Sequence, residues 1–440
     1  MHMEVRDPIH GAVHVSDRER AVLDSPYFQR LRNIKQVGFT ELAFPGATHS
    51  RYLHSVGVMH LSGAAFDAVF RGWVFSSEQR RAELRQCVRL AALLHDVGHA
   101  PFSHCTEFAM PPLVELGIEV YPDSVRAARG AKRASHEDYT VGILTLTELT
   151  QILDRDFACG AVHIAALISP EIQIAEDFFV DGGLNLRVVL SQIISSELDV
   201  DRLDYLVRDS FFSGAKYGQV DVDWILSNLR VHRDSRDQVC LALDRKALYA
   251  FDHFILARYH MFVMVYFHHK SVVFEEMLRR YFESPECPYA LPASMEAYLN
   301  VDDAELEMHL RQSKDPWAKA VSEKRAWKRV LELHGGAEDV NTSWALGLLE
   351  EEGIRTLTAS SVGRLSRYTV YGQKKSGAAN IYVIEDSLQP GGRETPLHEA
   401  TAIFARYRDA RRIARIYVAP QDREQARRVL QSSERMPELF

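Results

Sequence analysis

His95 and Asp96 stand side by side where the apolar run Leu90 to Leu94 gives out, and two more imidazoles, His99 and His104, follow in the same stretch, LAALLHDVGHAPFSH. Imidazole nitrogen and carboxylate oxygen together suit Mn, Fe, Zn or Mg, depending on what completes the shell. Upstream, HSRYLHSVGVMHL (His49 to Leu61) sets Arg51 and His54 three residues apart, on one face of a helix. Downstream, SSELDVDRLDYLVRD (Ser195 to Asp209) places Asp201, Tyr205 and Asp209 in one helical stripe, with Ile194, Leu198, Leu203, Leu206 and Val207 available for burial. Alone, an acidic stripe is an ordinary solvated face, and a His-Asp pair an ordinary helix end. Together, His54, His95, Asp96 and Asp201 are two imidazoles and two carboxylates from three apolar segments. Four such ligands leave positions open for water and a substrate oxygen, as a catalytic metal requires.

Helices must position these groups. Residues 1–285 carry helical periodicity and every candidate site residue, with two long patterns at Val188 to Asp209 and Lys246 to Phe282. RVHRDSRDQVCLAL (Arg230 to Leu243) reads as a short hairpin before the second. Residues 286–352 open on the Pro-containing break SPECPYALP and read as a helical extension, including DPWAKAVSEKRAWKRVLELHGG with its two closing glycines. Residues 353–440 change character: RYTVYG, NIYVIED and RIARIYVAP are β-rich and alternate with helix patterns at PLHEATAIFARY and DREQARRVLQ. That predicts a small α/β module, ferredoxin-like, serving as an accessory or oligomerisation unit. The fold class expected is mainly α, a helical core with a smaller C-terminal α/β module.

Composition narrows the function classes. The chain has 440 residues, material for two to three domains, and 46% hydrophobic content without an apolar run of bilayer length. A net charge of -8 gives no overall footprint for nucleic acid. The five cysteines are scattered and never spaced C-x-x-C, which argues against a disulfide framework or zinc knuckle and fits a reducing cytoplasm. No basic-then-apolar signal segment opens the sequence.

DPIHG (Asp7 to Gly11), SPYFQRLRNIKQVG (Ser25 to Gly38), FPGATHSRYLHSVGV (Phe44 to Val58), HDVGHAPFSH, SHED (Ser135 to Asp138) and DVDRLDYLVRD (Asp199 to Asp209) occur in an order that resembles the HD-domain metal-dependent phosphohydrolases. The resemblance is to their branch of deoxynucleoside triphosphate triphosphohydrolases, and it covers roughly residues 4 to 285. It implies His54, His95, Asp96 and Asp201 as ligands of a divalent ion (Mn, Mg, Fe, Co or Zn), with Arg51 and Arg202 holding phosphate oxygens. The family often has Lys at the second position; Arg keeps the charge but presents a planar fork. His99, His104, His136 and Glu137 match the positions lining the phosphate end, and Tyr205 and Asp209 those that meet the sugar. Gln36 and Val37 match the base-sugar end that crowds a ribose 2′-hydroxyl. Tyr266, Phe267, His268 and Lys270 fall where the family brings substrate-facing residues, with Phe267 and His268 departing from its residue types.

These roles agree with the chemistry. A nucleoside triphosphate carries about four negative charges, so cations beyond a divalent metal are needed. A histidine is the natural proton donor near neutral pH, and His104 or His136 is available, with Glu137 to hold an imidazole tautomer. The basic loop VRAARGAKR (Val125 to Arg133) is placed to overhang the phosphate entrance. The resemblance further implies a homo-oligomer, and Asp24, Gln29 and Arg32 match positions where the family holds an activating nucleotide. The alternatives are another nucleotide phosphoester (monophosphate, cyclic nucleotide or alarmone) in the same site, or a nucleotide-sensing regulator without turnover.

Overall fold

The structure, a computed structural model, describes residues 3–174, 177–336, 340–363, 380–385, 393–406 and 411–433. It is mainly helical, as the periodicity predicts. The site is framed by β1 (Met3–Asp7), β2 (Gly11–Val15), α1 (Arg51–Val69), α2 (Glu78–Leu94), α3 (His136–Leu146), α4 (Arg187–Ile194) and α5 (Val200–Ser213). α1 packs on both α2 and α5, and α3 lies against the loop that leaves α2. α1 is buried on nearly all sides, Val56, Val58, Met59, Ala65 and Phe66 among them, which explains its unbroken apolar sequence. α2 buries Leu84 and then every residue from Cys87 to Leu94, so the HD pair emerges at the end of the helix that is anchored in the core.

The two long helical patterns are each broken. The first splits into α4 and α5 around residues 195–199, where Asp199 caps α5 by accepting the Arg202 N–H at 2.8 Å. An N-cap carboxylate stops the helix in the N-terminal direction, and that break aims Asp201 at the site from the first turn of α5. The second pattern becomes α6 (Leu248–Met261), a π turn at Phe262–Tyr266, and α7 (His269–Phe282). Such turns favour functional positions; this one delivers the Tyr266 hydroxyl to Asp209 at 2.6 Å.

The predicted hairpin is present as β3 (Leu229–Arg233) and β4 (Val239–Asp244). The extension after residue 286 contains α8 (Asp303–Gln312), but KRVLELHGG is not helical: it forms β5 (Lys328–Gly336). Leu331 and Leu333 are two apart, a strand spacing that a helical reading passes over, and pairing with a distant strand decides the outcome. β5 pairs antiparallel with β9 (Arg411–Val418), which pairs antiparallel on its other side with β6 (Thr356–Gly363). α9 (Ser343–Glu351) and α10 (Arg423–Gln431) pack with this sheet around Leu331, Leu349, Ile416 and Leu430. β7 (Tyr382–Glu385) runs parallel to β4, Ala242 opposite Tyr382, and carries β8 (Arg393–Pro396) on its far edge. The C-terminal strands are therefore shared between two sheets, one of them continuous with the β3–β4 hairpin, instead of closing a ferredoxin-like unit among the described residues. RYTVYG lies outside the described residues.

Candidate metal centre and its surroundings

His95 follows the last residue of α2 and caps it, its Nδ1 donating to the Ala92 carbonyl at 2.8 Å. Because a carbonyl only accepts, Nδ1 carries the hydrogen and Nε2 is left with its lone pair. His54, in the first turns of α1, is fixed the same way by the Asp204 carboxylate, Nδ1 to Oδ2 2.8 Å. Its Nε2 lies 3.1 Å from Asp201 Oδ1 and 3.6 Å from Asp96 Oδ2. His95 Nε2 lies 3.3 Å from Asp96 Oδ1 and 3.6 Å from Asp201 Oδ1. Both Nε2 atoms are buried without an aligned hydrogen-bond partner. Buried polar atoms are rarely left so; His54, His95 and Asp96 bring their ligand atoms within 4.8 Å of one another, and the Asp201 carboxylate adjoins both imidazoles from α5. Burial works against an imidazolium at His54, yet Asp201 and Asp204 outweigh it and push the ring up to about 10, so without a metal a proton takes the Nε2 lone pair that a cation would otherwise use. The donors thus favour a cation among them, and the mixture of two imidazoles with two carboxylates fits a divalent ion.

Behind His54 lies a closed polar network. Asp204 accepts from His54 and His10 and from Arg208 through both Nε and Nη2, the last two at 2.8 Å. Arg208 also donates to Asp7 at 2.8 Å, so the β1–β2 hairpin is tied to α5. α1 passes close over this group at Gly57, where an added Cβ would overlap Asp204 Oδ1 and Arg208 Nη2. Gly57→Ala is expected to cost about 1–3 kcal/mol through overpacking, more than the roughly 1 kcal/mol that alanine gains in a helix. Urea unfolding checks this: a variant as stable as the parent would mean that the pair moves aside freely.

Arg51 is buried between Asp96 and the segments that carry Ser103 and Gln36. Its Nη1 contacts Asp96 Oδ2, its Nε donates to Ser103 Oγ at 2.7 Å, and its Nη2 reaches the Gln36 carbonyl at 3.3 Å. Arg202 is buried as well, its guanidinium held by the capping Asp199. On the other side of Asp96 lie the remaining imidazoles. His99 Nε2 is 3.3 Å from Asp96 Oδ1, and the ring stacks on His136 at a centroid distance of 3.9 Å. His104 meets both rings edge-on and is largely exposed. The carboxylate that spans this group is that of Glu107, which accepts from His136 Nδ1 at 2.7 Å and from His104 Nδ1 at 3.0 Å. Glu137, expected in that role, is exposed on the outer side of the α3 start. His136 occupies the first residue of α3, whose capping box of Ser135 and Asp138 turns neighbouring positions outward.

The imidazoles separate electrostatically. Burial, then Arg51 and His136, hold His99 well below its ordinary value. Burial opposes charge on His136 too, but there Glu107 wins and the ring is raised.

At the far end, Asp209 accepts from Tyr266 at 2.6 Å and from His49 at 2.7 Å. Tyr205 is half-buried on the same stripe of α5, its hydroxyl pushed up to about 12 by burial. Gln36 is buried with its Oε1 unpaired, beside the half-buried Val37. The basic loop does not stand free. Its helical part, Asp123–Arg129, is pinned by Arg129, which donates to Asp138 at 2.8 Å and also contacts Glu171. Asp24, Gln29 and Arg32 are engaged locally: Arg32 lies 3.6 Å over the Tyr52 ring and donates to Gln29 at 2.7 Å, and Asp24 takes the Arg20 Nε–H at 3.2 Å.

Residues 51–208 match the HD domain, and residues 220–356 match the HD associated region that accompanies it. The chain belongs to the HD-domain family. This HD-domain protein is 36% identical over 265 residues to an uncharacterized protein of Bacillus subtilis, an overlap of 60% of this chain and 51% of that one. It is 31% identical over 317 residues to the deoxynucleoside triphosphate triphosphohydrolase SAMHD1 homolog of Dictyostelium discoideum, covering 71% of this chain and 55% of the relative. The chain thus spans about half the length of these two relatives. A hypothetical protein from Aquifex aeolicus shares its fold almost end to end, with a TM-score of 0.72, 27% identity, and coverage of 98% of this chain and 100% of that one.

In this HD-domain protein, Asp204, Arg208, His10 and Glu107 carry the network around the site, and the sequence alone assigned none of them a role. The signal for Asp204 was its spacing from Asp201, three residues on and therefore on the same side of α5. His10 was present in the DPIHG block without a partner to give it meaning. Glu107 lies three residues after His104, a spacing that a short 3-10 turn brings together. No described helix is long and apolar enough to cross a membrane.

Proposed function

We propose that the chain hydrolyses deoxynucleoside triphosphates to deoxynucleoside and inorganic triphosphate, with a divalent metal held by His54, His95, Asp96 and Asp201. The observation that carries this reading is the placement of the donor set between the Arg51 guanidinium and the His99–His136–His104 group, both in contact with Asp96 or its neighbours. That arrangement offers a cation for phosphate oxygens on one side and a proton donor on the other. The name borne by the Dictyostelium relative points to the same substrate class.

When bound, the metal supplies Lewis-acid polarisation of a phosphoryl oxygen and a more acidic water. Arg51 and Arg202 take phosphate oxygens, exchanging carboxylate partners at Asp96 and Asp199 for phosphate ones in charge-assisted hydrogen bonds. Water oxygen bonds to the α-phosphorus as the bond to O5′ breaks; O5′ takes its proton from His136, whose proton affinity Glu107 raises, and the proton shed by the water passes to solvent, from which His136 is re-protonated. Tyr205 and Asp209 meet the sugar, with Asp209 oriented by His49 and Tyr266, and Gln36 and Val37 close the base-sugar end. A homo-oligomer, a cytoplasmic setting and a nucleotide activator at Asp24, Gln29 and Arg32 belong to the same reading.

The test is chromatography of products from metal-free chain given each dNTP with Mn, Mg, Fe, Co or Zn, alone and with GTP added. Deoxynucleoside plus intact triphosphate is expected; release of monophosphate or pyrophosphate, or no turnover in any arm, rejects the assignment.

The pH dependence follows from the sign of the His136 shift. A raised imidazole is protonated below its folded value, so a reaction that needs its proton slows as pH rises through that value. Glu107→Gln removes the group that raises it, and the alkaline limb of kcat/KM moves to lower pH, with kcat down by about 10²-fold on that limb. An unmoved limb assigns the proton to another group.

A further inference from the structure

The loop that leaves the HD pair is strained at two successive residues: Phe102 and Ser103 both adopt left-handed backbone, φ 55° and 60°, without being glycine. Such conformations persist where surrounding contacts enforce them. Here the enforcing contacts come from the HD associated region. Asp303, the first residue of α8 and 6% exposed, accepts the Phe102 N–H through Oδ1 at 2.6 Å and the Lys35 N–H through Oδ2 at 3.0 Å. Ser103 Oγ donates to the Lys35 carbonyl at 2.6 Å. The four links close a ring: Asp303 to Phe102, along the chain to Ser103, across to Lys35, and back to Asp303. Within that ring the Ser103 hydroxyl hydrogen is committed, so the oxygen must present a lone pair, and what it faces is Arg51 Nε at 2.7 Å. The same segment holds the loop at further points. Tyr298 donates to the Gly98 carbonyl at 3.0 Å, and Arg30 joins the Val301 carbonyl at 2.7 Å to the Val97 carbonyl at 3.4 Å.

We propose that Asp303 is a positioning residue: by clamping the Phe102–Ser103 turn against Lys35 it fixes the Ser103 oxygen and, through it, the guanidinium of Arg51. The link from that guanidinium to phosphate rests on the function proposed above, whereas the clamp itself does not. The HD associated region then acts on the site without touching substrate, and Asp303 and Ser103 act in series.

Two measurements on the full chain test this, for the parent, Asp303→Asn, Ser103→Ala and the double variant. Asn keeps the volume of Asp303 but places an amide N–H₂ against one of the two N–H donors. First, hydrogen–deuterium exchange without ligand should show the amides of residues 97–105 exchanging about 10-fold faster or more in Asp303→Asn, with the rest of the chain unchanged. Unaltered exchange there overturns the proposal whatever the substrate. Second, inorganic tripolyphosphate is titrated calorimetrically into the Mn-loaded chain. Each single variant should weaken binding by about 10-fold, and the double variant by no more than either alone, since groups acting in series are not additive. Effects that multiply to about 100-fold overturn the proposal. If the parent does not bind tripolyphosphate, the polyphosphate reading fails while the exchange measurement still decides the clamp.

Discussion

Asp201→Ala is expected to remove metal binding and turnover together and to leave the chain folded. Asp201 Oδ1 lies 3.1 Å from His54 Nε2 and 3.6 Å from His95 Nε2, closer to both imidazoles than a bystander charge would sit. Its carboxyl is held well below the ordinary range, because His54 and His95 outweigh the effect of burial. The side chain is nevertheless 32% exposed, at the second residue of α5 and outside the helix's apolar face. Alanine there opens no core cavity, and the buried His54 loses Asp201 but keeps Asp204, so the metal-free variant should stay folded with a loss of no more than about 1–3 kcal/mol. The ligand set loses one of its two anionic charges and its link from α5. Lewis-acid stabilisation is worth several kcal/mol, and each 1.36 kcal/mol is tenfold in rate, so kcat should fall by about 10³-fold or more. Elemental analysis after dialysis, paired with product chromatography, reads both effects. A variant that keeps the parent's metal content and rate would show that the site is organised around other atoms.

Most of the candidate donor residues stand out in the sequence because they sit at an abrupt change of pattern. His95 and Asp96 end an apolar run, and Asp201 and Arg202 open an amphipathic one after Asp199. The structure does bring His54, His95, Asp96 and Asp201 together, with Arg51 and His99 against Asp96. What periodicity did not convey was where long helical patterns stop. The break between α4 and α5 depends on the Asp199 cap, and the break before α7 on a π turn; neither disturbs the spacing of apolar residues enough to be seen. Partner choice among polar side chains was equally hidden. Glu107 and Glu137 both lie near imidazoles in sequence, and only the 3-10 turn after Phe102 decides that Glu107 spans them. At the C-terminus, strands β7 and β9 take partners from earlier in the chain, β4 and β5, which no local pattern specifies.

Asp204→Ala, in contrast to Asp201→Ala, should cost stability first. Asp204 is fully buried, and each of its oxygens accepts twice: Oδ1 from His10 at 2.6 Å and Arg208 Nη2 at 2.8 Å, Oδ2 from His54 and Arg208 Nε, both at 2.8 Å. All four lone-pair sites of the carboxylate are used. Alanine leaves the buried Arg208 with Asp7 as its remaining carboxylate and leaves two imidazole nitrogens without acceptors. Breaking a buried ion pair from one side typically costs about 3–5 kcal/mol, which urea unfolding in chelator would record without metal linkage. The acid dependence carries the same signature. Burial opposes the Asp204 charge, but Arg208, His10 and His54 outweigh it and hold the carboxyl well below its ordinary range. A depressed carboxyl contributes stability above its unfolded value and loses it as pH falls through the folded one, so the variant's deficit should shrink toward strongly acidic pH. His54 also loses the acceptor that fixes its tautomer, and metal affinity should weaken by about 10–100-fold. Asp204→Asn separates the two roles. Its single remaining oxygen can serve His54 or Arg208 but not both, so a variant that recovers metal affinity while staying unstable would assign the oxygen to His54. Unchanged unfolding of Asp204→Ala at neutral pH would mean that the hairpin and α5 hold together without this network.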